Sequence, residues 1–208
     1  MTRRRTTIAA TVVALGAAAL SGCTFPGTGS ASPSPSTTVA PVASASPSAT
    51  PSVALPAACR DLVSPEVYAA TFGDTPLNDP AFGDQGESGV VTPAPAGEGA
   101  GAEEQLRAGI RLNCVWGSPT ADITSLTATV AVVDPAVASA FLDTLPGAGF
   151  ACTDLHDGRR CQQITADPTY QVPVGSTRFL RDDVYIDVRQ ANFPTNDLLG
   201  SIAQKIWG

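Results

Sequence analysis

Residues 177–189, with the sequence TRFLRDDVYIDVR, carry the clearest structural signal in this chain. Thr177 to Arg181 and Val184 to Arg189 are predicted as two strands joined by a tight turn at Asp182-Asp183, and apolar and polar residues alternate in the second of them. In the second strand the residues expected to face inward are Val184, Ile186 and Val188, and those expected to face outward are Tyr185, Asp187 and Arg189. The segment therefore predicts an antiparallel hairpin.

Two more hairpins are predicted upstream. Residues 112–116 and 126–132 alternate in the same way and flank a turn at Gly117-Ser118-Pro119. Asp157-Gly158 is a strong turn signal between two short strands. Hairpin-linked strands of this kind favour an antiparallel sheet rather than a parallel one.

Three helices are predicted around these strands. The first covers about 65–72, because Ser64 is a good N-cap and Gly73 ends the pattern. The second follows Asp134-Pro135, and its expected apolar side is Val137, Phe141 and Leu145. The last has an inner face of Leu198, Leu199, Ile202 and Ile206. The fold class is therefore α+β, a single domain with a mainly antiparallel sheet of five to six strands and about three helices on a face.

Residues 74–105 are predicted to be a long loop within this domain. Gly, Pro and acidic residues dominate the segment. Loops of this length are unusual in compact domains, so the segment is either a tolerated insertion or a mobile flap. We favour the insertion.

Four cysteines in the domain predict two disulfides. Cys152 and Cys161 flank the turn at Asp157-Gly158 and should lie across from each other, which leaves Cys59 to pair with Cys114. The alternative is a four-cysteine zinc site, but the chain has no Cys-x-x-Cys pair.

The N-terminus predicts export and lipidation. Arg3, Arg4 and Arg5 precede a run of 13 small and apolar residues, too short for a membrane span of about 20 residues. The run ends in Leu20-Ser21-Gly22-Cys23, which resembles the lipobox of bacterial lipoproteins. This resemblance implies a signal peptide over 1–22 and an acylated Cys23 as the first mature residue. The alternative is an ordinary secretory signal with a chance cysteine.

Residues 23–57 are predicted to be the acylated cysteine and a disordered linker, followed by the folded domain over 58–208. The segment 24–57 has no charged residue and consists almost entirely of Ser, Thr, Pro, Ala, Gly and Val. Such a composition has too little apolar surface to offset the entropy of ordering. A bare spacer and an O-glycosylated stalk remain equally open.

Charge and composition exclude several function classes. The formal net charge of −7 argues against a nucleic-acid binder, which needs clustered Lys and Arg. A single histidine excludes a metal site built from several histidines. We expect no cofactor and no metal.

No residue pattern predicts catalysis. His156 lies near Asp154 and Asp157, but the chain lacks a nucleophile elbow, so a histidine in a turn is the simpler interpretation. Asp182 and Asp183 are neighbours in a turn and should point apart. Arg159-Arg160 is either an exposed hairpin arm or a docking pair for an acidic partner. Trp116 is expected to pack against a disulfide, and Trp207 to cover the sheet end or an interface.

Three further motifs carry a family resemblance. They are Ala57-Ala58-Cys59 before the first helix, Arg111-Leu112-Asn113-Cys114-Val115-Trp116, and Arg181-Asp182-Asp183-Val184-Tyr185-Ile186 before the last helix. Together with the lipobox and linker, the chain resembles small actinobacterial cell-envelope lipoproteins of unknown function with a Cys…Cys-x-Trp pattern. It is similar, more distantly, to extracellular sensor domains of actinobacterial serine/threonine kinases. The resemblance implies a disulfide-stapled α+β domain and provides no catalytic residues.

These observations predict a lipoprotein on the outer face of the cytoplasmic membrane, anchored through Cys23. Its expected role is that of a non-enzymatic binding or sensor module for an envelope protein or a small ligand. The alternatives are a carrier of a lipid or small hydrophobic ligand and, third, an envelope hydrolase.

Overall fold

The structure is a computed structural model and describes residues 50–208. Its strands are β1 (Ile110–Gly117), β2 (Ser125–Val132), β3 (Ala151–Leu155), β4 (Gly158–Ala166), β5 (Pro173–Arg181) and β6 (Val184–Ala191). Its α-helices are α1 (Pro65–Thr71), α2 (Ala102–Ala108), α3 (Pro135–Thr144) and α4 (Leu198–Trp207). The predicted signal peptide, Cys23 and residues 24–49 of the predicted linker lie outside the described residues.

The six strands form one antiparallel sheet in the order β1-β2-β6-β5-β4-β3. All three predicted hairpins are present, and both predicted disulfides form, Cys59–Cys114 and Cys152–Cys161. The predicted α+β class with two disulfides is therefore confirmed. Within residues 50–208, no helix combines the length and apolar character that crossing a membrane requires.

The helices divide between the two faces of the sheet, whereas the sequence predicts them on one face. On the first face, α1 and α4 cover a core that contains Trp116, Phe179 and Ile186. On the second face, α2 and α3 cover a smaller core around Tyr185 and Cys161. Tyr185 points away from the first core, as its place in the alternation predicts, but the second helix layer leaves it only 5% exposed.

Trp116 is the centre of the first core. Its indole ring stacks on Phe72 with ring centroids 4.0 Å apart, and its Nε1 donates a hydrogen bond to the Tyr68 hydroxyl at 3.1 Å. Ser64 caps the N-terminus of α1 by accepting a hydrogen bond from the Val67 amide. This cap fixes the start of the helix that delivers both aromatic partners to the tryptophan.

The buried side of α3 differs from the prediction by one position. The sequence predicts Val137, Phe141 and Leu145, but the residues that are fully buried are Ala138, Leu142 and Leu145. Ala138 is small, so it lets the helix approach the sheet closely. Phe141 lies at the edge of this contact, half-buried, with its ring 6.4 Å from that of Tyr185.

The predicted loop 74–105 is shorter than expected and lies along β1. Its last residues belong to α2, which begins at Ala102. Leu77 and Val90 form isolated bridges with Trp116 and Leu112. The buried side chain of Asn78 accepts a hydrogen bond from the Val115 amide at 2.7 Å and donates one to the Gly86 carbonyl. These bonds hold the segment against the edge of the sheet.

Residues 50–57, the end of the predicted linker, also contact the domain. Val53 and Leu55 pack against the first core. The Ser52 amide and hydroxyl both donate to the carboxylate of Asp183 in the β5–β6 turn. The ordered chain therefore begins before residue 58, because two apolar residues in this segment reach the core.

Candidate functional site

A small cleft of about 40 Å³ opens on the second face of the sheet, between that face and helices α2 and α3. Its lining residues are Glu103, Leu106, Arg107, Ile110, Thr129, Ala131, Phe141, Arg178, Tyr185, Asp187 and Arg189. Leu106, Ile110, Ala131 and Phe141 make one wall apolar. Charged and hydroxyl side chains make up the rest.

The strand register brings the polar residues together. Arg178 on β5 lies directly opposite Asp187 on β6, and Asp187 lies opposite Thr129 on β2. Residues opposite each other in an antiparallel sheet project from the same face. Tyr185 and Arg189 stand two positions to either side of Asp187 on β6 and share that face. The alternation of the β6 strand therefore builds the polar floor of the cleft.

Asp187 is a carboxylate held between two guanidinium groups. It forms a close ion pair with Nη1 of Arg178, and the two side chains are only 14% and 11% exposed. Nη2 of Arg189 approaches its other oxygen at 3.1 Å. The hydrogen bond to Asp187 raises the pKa of Arg189, and burial of the guanidinium opposes this effect. Arg189 therefore remains charged near neutral pH.

Arg178 and Tyr185 each keep a donor group in the cleft without a protein partner among the described residues. Arg178 is 9% exposed, and within residues 50–208 only its Nη1 makes hydrogen bonds, to Asp187 and to the Thr177 carbonyl. Its Nε–H and Nη2–H groups have no acceptor in this part of the chain. The hydroxyl of Tyr185 likewise has none among the described residues. None of these donor atoms is fully enclosed, so they face the open cleft and are available to a bound molecule or to water.

Burial keeps Tyr185 protonated. Desolvation of the phenol raises its pKa well above the ordinary value, and this outweighs the lowering effect of the nearby Arg178 charge. At neutral pH Tyr185 is therefore a hydroxyl that can donate a hydrogen bond, not a phenolate.

A second depression lies on another part of the surface, next to residues 50–57. It has a volume of about 490 Å³ and is wide open to solvent. Its walls come from Leu55, Pro56, Val90, Pro93 and Leu112, among others. Apolar contacts predominate here, and Arg111 is the charged residue of the lining.

The residues that the sequence analysis weighed for chemistry lie outside the cleft. His156 sits in the β3–β4 turn with Nε2 3.8 Å from the Asp197 carboxylate. Arg159 is paired with Asp143 of α3 at 2.5 Å. Trp207 donates to Asp182 through Nε1 at 3.2 Å. Within residues 50–208, no cluster of three or more His, Cys, Asp and Glu side chains is arranged to hold a metal ion.

The sequence analysis named Tyr185, Asp187 and Arg189 as outward-facing but did not place them in a site. The missing element was α2, whose residues 102–108 read AEEQLRA. These are strong helix formers, with acids in the first turn and Arg107 in the last, so a helix could have been predicted.

No family model, curated protein or solved structure matches this chain.

Proposed function

We propose that this chain is a membrane-anchored extracytoplasmic lipoprotein that binds a small ligand in the cleft on the second face, without catalysing a reaction. The observation that carries the proposal is the pair of unpartnered donors, Arg178 and Tyr185, at the floor of an apolar-walled cleft. Apolar clefts with a few placed polar groups are the usual form of small-molecule sites, and this cleft has that kind of lining on a smaller scale.

The chemistry of the lining supports binding rather than catalysis. The residues that line the cleft include no His, Cys, Lys or Ser, and the aliphatic hydroxyl of the lining, Thr129, has no histidine or lysine in the lining to act as its base. Asp187 is the most buried acid of the lining, and its charge is already stabilised by Arg178 and Arg189.

The two disulfides and the N-terminal sequence support the proposed location. Disulfides persist in extracytoplasmic compartments and are rare in the cytosol. The lipobox at Leu20-Ser21-Gly22-Cys23 provides the anchor. One acyl chain binds a membrane only marginally, so stable anchoring requires the two or three chains that lipoproteins of this kind carry.

A second candidate function is the carrier of a lipid or small hydrophobic ligand. It is favoured by the depression beside residues 50–57, whose volume of about 490 Å³ and apolar walls suit a larger apolar molecule. Its wide opening is a disadvantage, because carriers shield their ligand from water.

Native mass spectrometry of the full-length protein, solubilised from membranes in detergent, separates the two functions. The binding module is expected to show the mass of the acylated chain, four hydrogens light for two disulfides. A carrier would show an additional discrete hydrophobe that disappears when the same sample is denatured. That second result would replace our proposal with the carrier.

Substituting Cys23→Ser tests the anchor. Because the acylated sulfur is removed, we expect the variant to lose incorporation of an alkyne-labelled fatty acid and to remain an unprocessed precursor. In-gel fluorescence and the mass of the N-terminal peptide measure both effects. Ser21→Ala is a matched control that keeps a small residue before the cysteine. Equal labelling of Cys23→Ser and the natural chain would rule out lipidation at this residue.

A further inference from the structure

We propose that the Cys152–Cys161 disulfide is a redox-sensitive switch. A small-molecule thiol opens this bond in the folded protein, the Cys59–Cys114 bond stays closed, and opening releases the edge strand β3. This inference goes beyond the proposed function and does not depend on what the cleft binds.

The two disulfides differ in their access to solvent. Cys59 and Cys114 are both fully buried in the first core. Cys161 is also fully buried, but Cys152 is half-buried, so it alone among the four cysteines within residues 50–208 has surface that faces water. Thiol–disulfide exchange begins when an external thiolate reaches one sulfur of the bond. Cys152 is therefore the point at which a thiol from solvent reaches a disulfide of this domain.

The place of β3 in the sheet leaves Cys152 approachable. Cys152 lies directly opposite Cys161 of β4, and β3 is the last strand on that side of the sheet. The attacking sulfur lines up with the bond that breaks. A line from Cys161 through Cys152 leads off the edge of the sheet, where no further strand lies within residues 50–208. A thiol can therefore attack Cys152 from beyond the edge, with Cys161 as the leaving group.

Two external thiols complete the exchange. The first thiolate forms a bond to Sγ of Cys152, the Cys152–Cys161 bond breaks, and Cys161 leaves as a thiolate. The second thiolate attacks the external sulfur of this mixed disulfide and releases Cys152 as a thiolate. The two external thiols are thereby oxidised to one disulfide. Cys152 and Cys161 are reduced, and each takes up one of the protons that the external thiols lose.

The disulfide is the strongest attachment of β3. This strand is five residues long, and none of its residues is fully buried. Besides the backbone pairing with β4, a side-chain hydrogen bond joins Nη2 of Arg160 to the Thr153 hydroxyl at 3.3 Å. Short segments with few buried contacts open at a low cost in free energy. We therefore expect β3 to stay paired when the bond is closed and to separate from β4 when the bond is open.

The first test is differential reduction of the full-length protein in detergent without denaturant. Dithiothreitol, which supplies both thiols, is added and the reaction is stopped with acid at timed points. Free thiols are labelled with N-ethylmaleimide in urea, and the remaining disulfides are then reduced and labelled with iodoacetamide. Peptide masses identify each cysteine. We expect Cys152 and Cys161 to be reduced at least about tenfold faster than Cys59 and Cys114.

Two results of this test would overturn the switch. One is reduction of Cys59–Cys114 at the same rate or faster, and the other is a Cys152–Cys161 bond that resists dithiothreitol until urea is added. The same reaction in urea is the control. Because burial is lost there, the two rates should fall within about threefold of each other. A tenfold difference that persisted in urea would show that the position in the fold does not select the bond.

A matched pair of variants identifies the attacked sulfur. Cys161→Ser leaves a thiol at Cys152, and Cys152→Ser leaves one at Cys161. Timed labelling with iodoacetamide, read from peptide masses, should modify Cys152 at least about tenfold faster than Cys161. Equal or reversed rates would show that Cys152 is not the point of attack. If either variant fails to fold, the reduction rates of the natural chain still decide whether the bond is selectively opened.

Hydrogen–deuterium exchange of the natural chain, before and after selective reduction, tests the release of β3. Peptides that cover residues 151–162 should exchange at least about tenfold faster after reduction, and peptides from β1 and β2 should be unchanged. Unchanged exchange over 151–162 would overturn the release of the strand. Faster exchange throughout the domain would show global unfolding and would also contradict a local switch.

Discussion

Replacing Trp116 with alanine is expected to lower the free energy of unfolding by about 3–5 kcal/mol, the usual cost of removing a large buried aromatic side chain. The indole is fully buried, stacks on Phe72 and donates a hydrogen bond to Tyr68. The substitution removes all three contacts and leaves a cavity that the rigid sheet cannot close. Urea unfolding of the full-length chain, followed by circular dichroism, measures the loss.

Trp207→Ala is the matched control for this substitution. Trp207 is half-buried at the end of α4, where its ring meets Phe179 edge-on with centroids 6.0 Å apart. Because part of its surface already faces water, we expect a clearly smaller loss of stability. Equal losses for the two variants would contradict the assignment of Trp116 as the centre of the core.

Replacing both Cys59 and Cys114 with alanine is expected to cost about 4 kcal/mol in the chain-entropy account of disulfides. The bond joins residues 55 positions apart and therefore restricts a large loop of the unfolded chain. Both cysteines are fully buried in the first core. A Cβ on Gly89 would lie 2.1 Å from the Cys59 sulfur, so the surrounding chain is packed tightly on this bond.

The second disulfide provides the comparison. Cys152 and Cys161 are nine positions apart, so replacing both with alanine should cost about 2.5 kcal/mol. The midpoint of urea unfolding should therefore fall further for the first pair than for the second. A reversed order would show that the length of the closed loop does not determine the stability contributed by these bonds.

The hairpins and disulfides could be predicted because their signals are local. Alternation of side chains fixes which residues of a strand share a face, and Asp157-Gly158 fixes a turn that brings Cys152 opposite Cys161. Once that pair was assigned, Cys59 and Cys114 were the two cysteines of the domain that remained to pair with each other. None of these inferences required knowledge of the order of strands in the sheet.

The second layer of helices could not be predicted from alternation alone. A strand with polar outward residues is typical of a sheet with one solvated face, and β6 carries Asp187 and Arg189 on that face. Nothing in the strand indicates that Tyr185, two positions away, is covered by α2 and α3. The prediction for α3 was wrong by one position because Ala138 is a weak apolar signal, although its small size is what permits close packing.

The cleft could not be predicted because it depends on the second layer of helices and on how α3 packs against the sheet. Its lining comes from strands β1, β2, β5 and β6 and from helices α2 and α3, so residues from six elements must meet. Arg178 gave no signal in the sequence, since an arginine in a strand is usually exposed. Its burial follows from the register that places it opposite Asp187.

The part of segment 74–105 that lies along β1 also affects whether copies of this protein can associate through the edges of their sheets. A bare strand edge is a template on which other chains can add, and it promotes aggregation. Here the Asn113 amide donates a hydrogen bond to the Gly89 carbonyl, and the Val115 carbonyl accepts one from the Asn78 amide. The hydrogen-bonding groups on this edge of the sheet therefore already have partners. The edge strand on the opposite side of the sheet is β3, which is short and carries the exposed charge of Asp154. Filaments that grow by pairing of edge strands need two open sheet edges per molecule. In this protein one of the two edges is already covered.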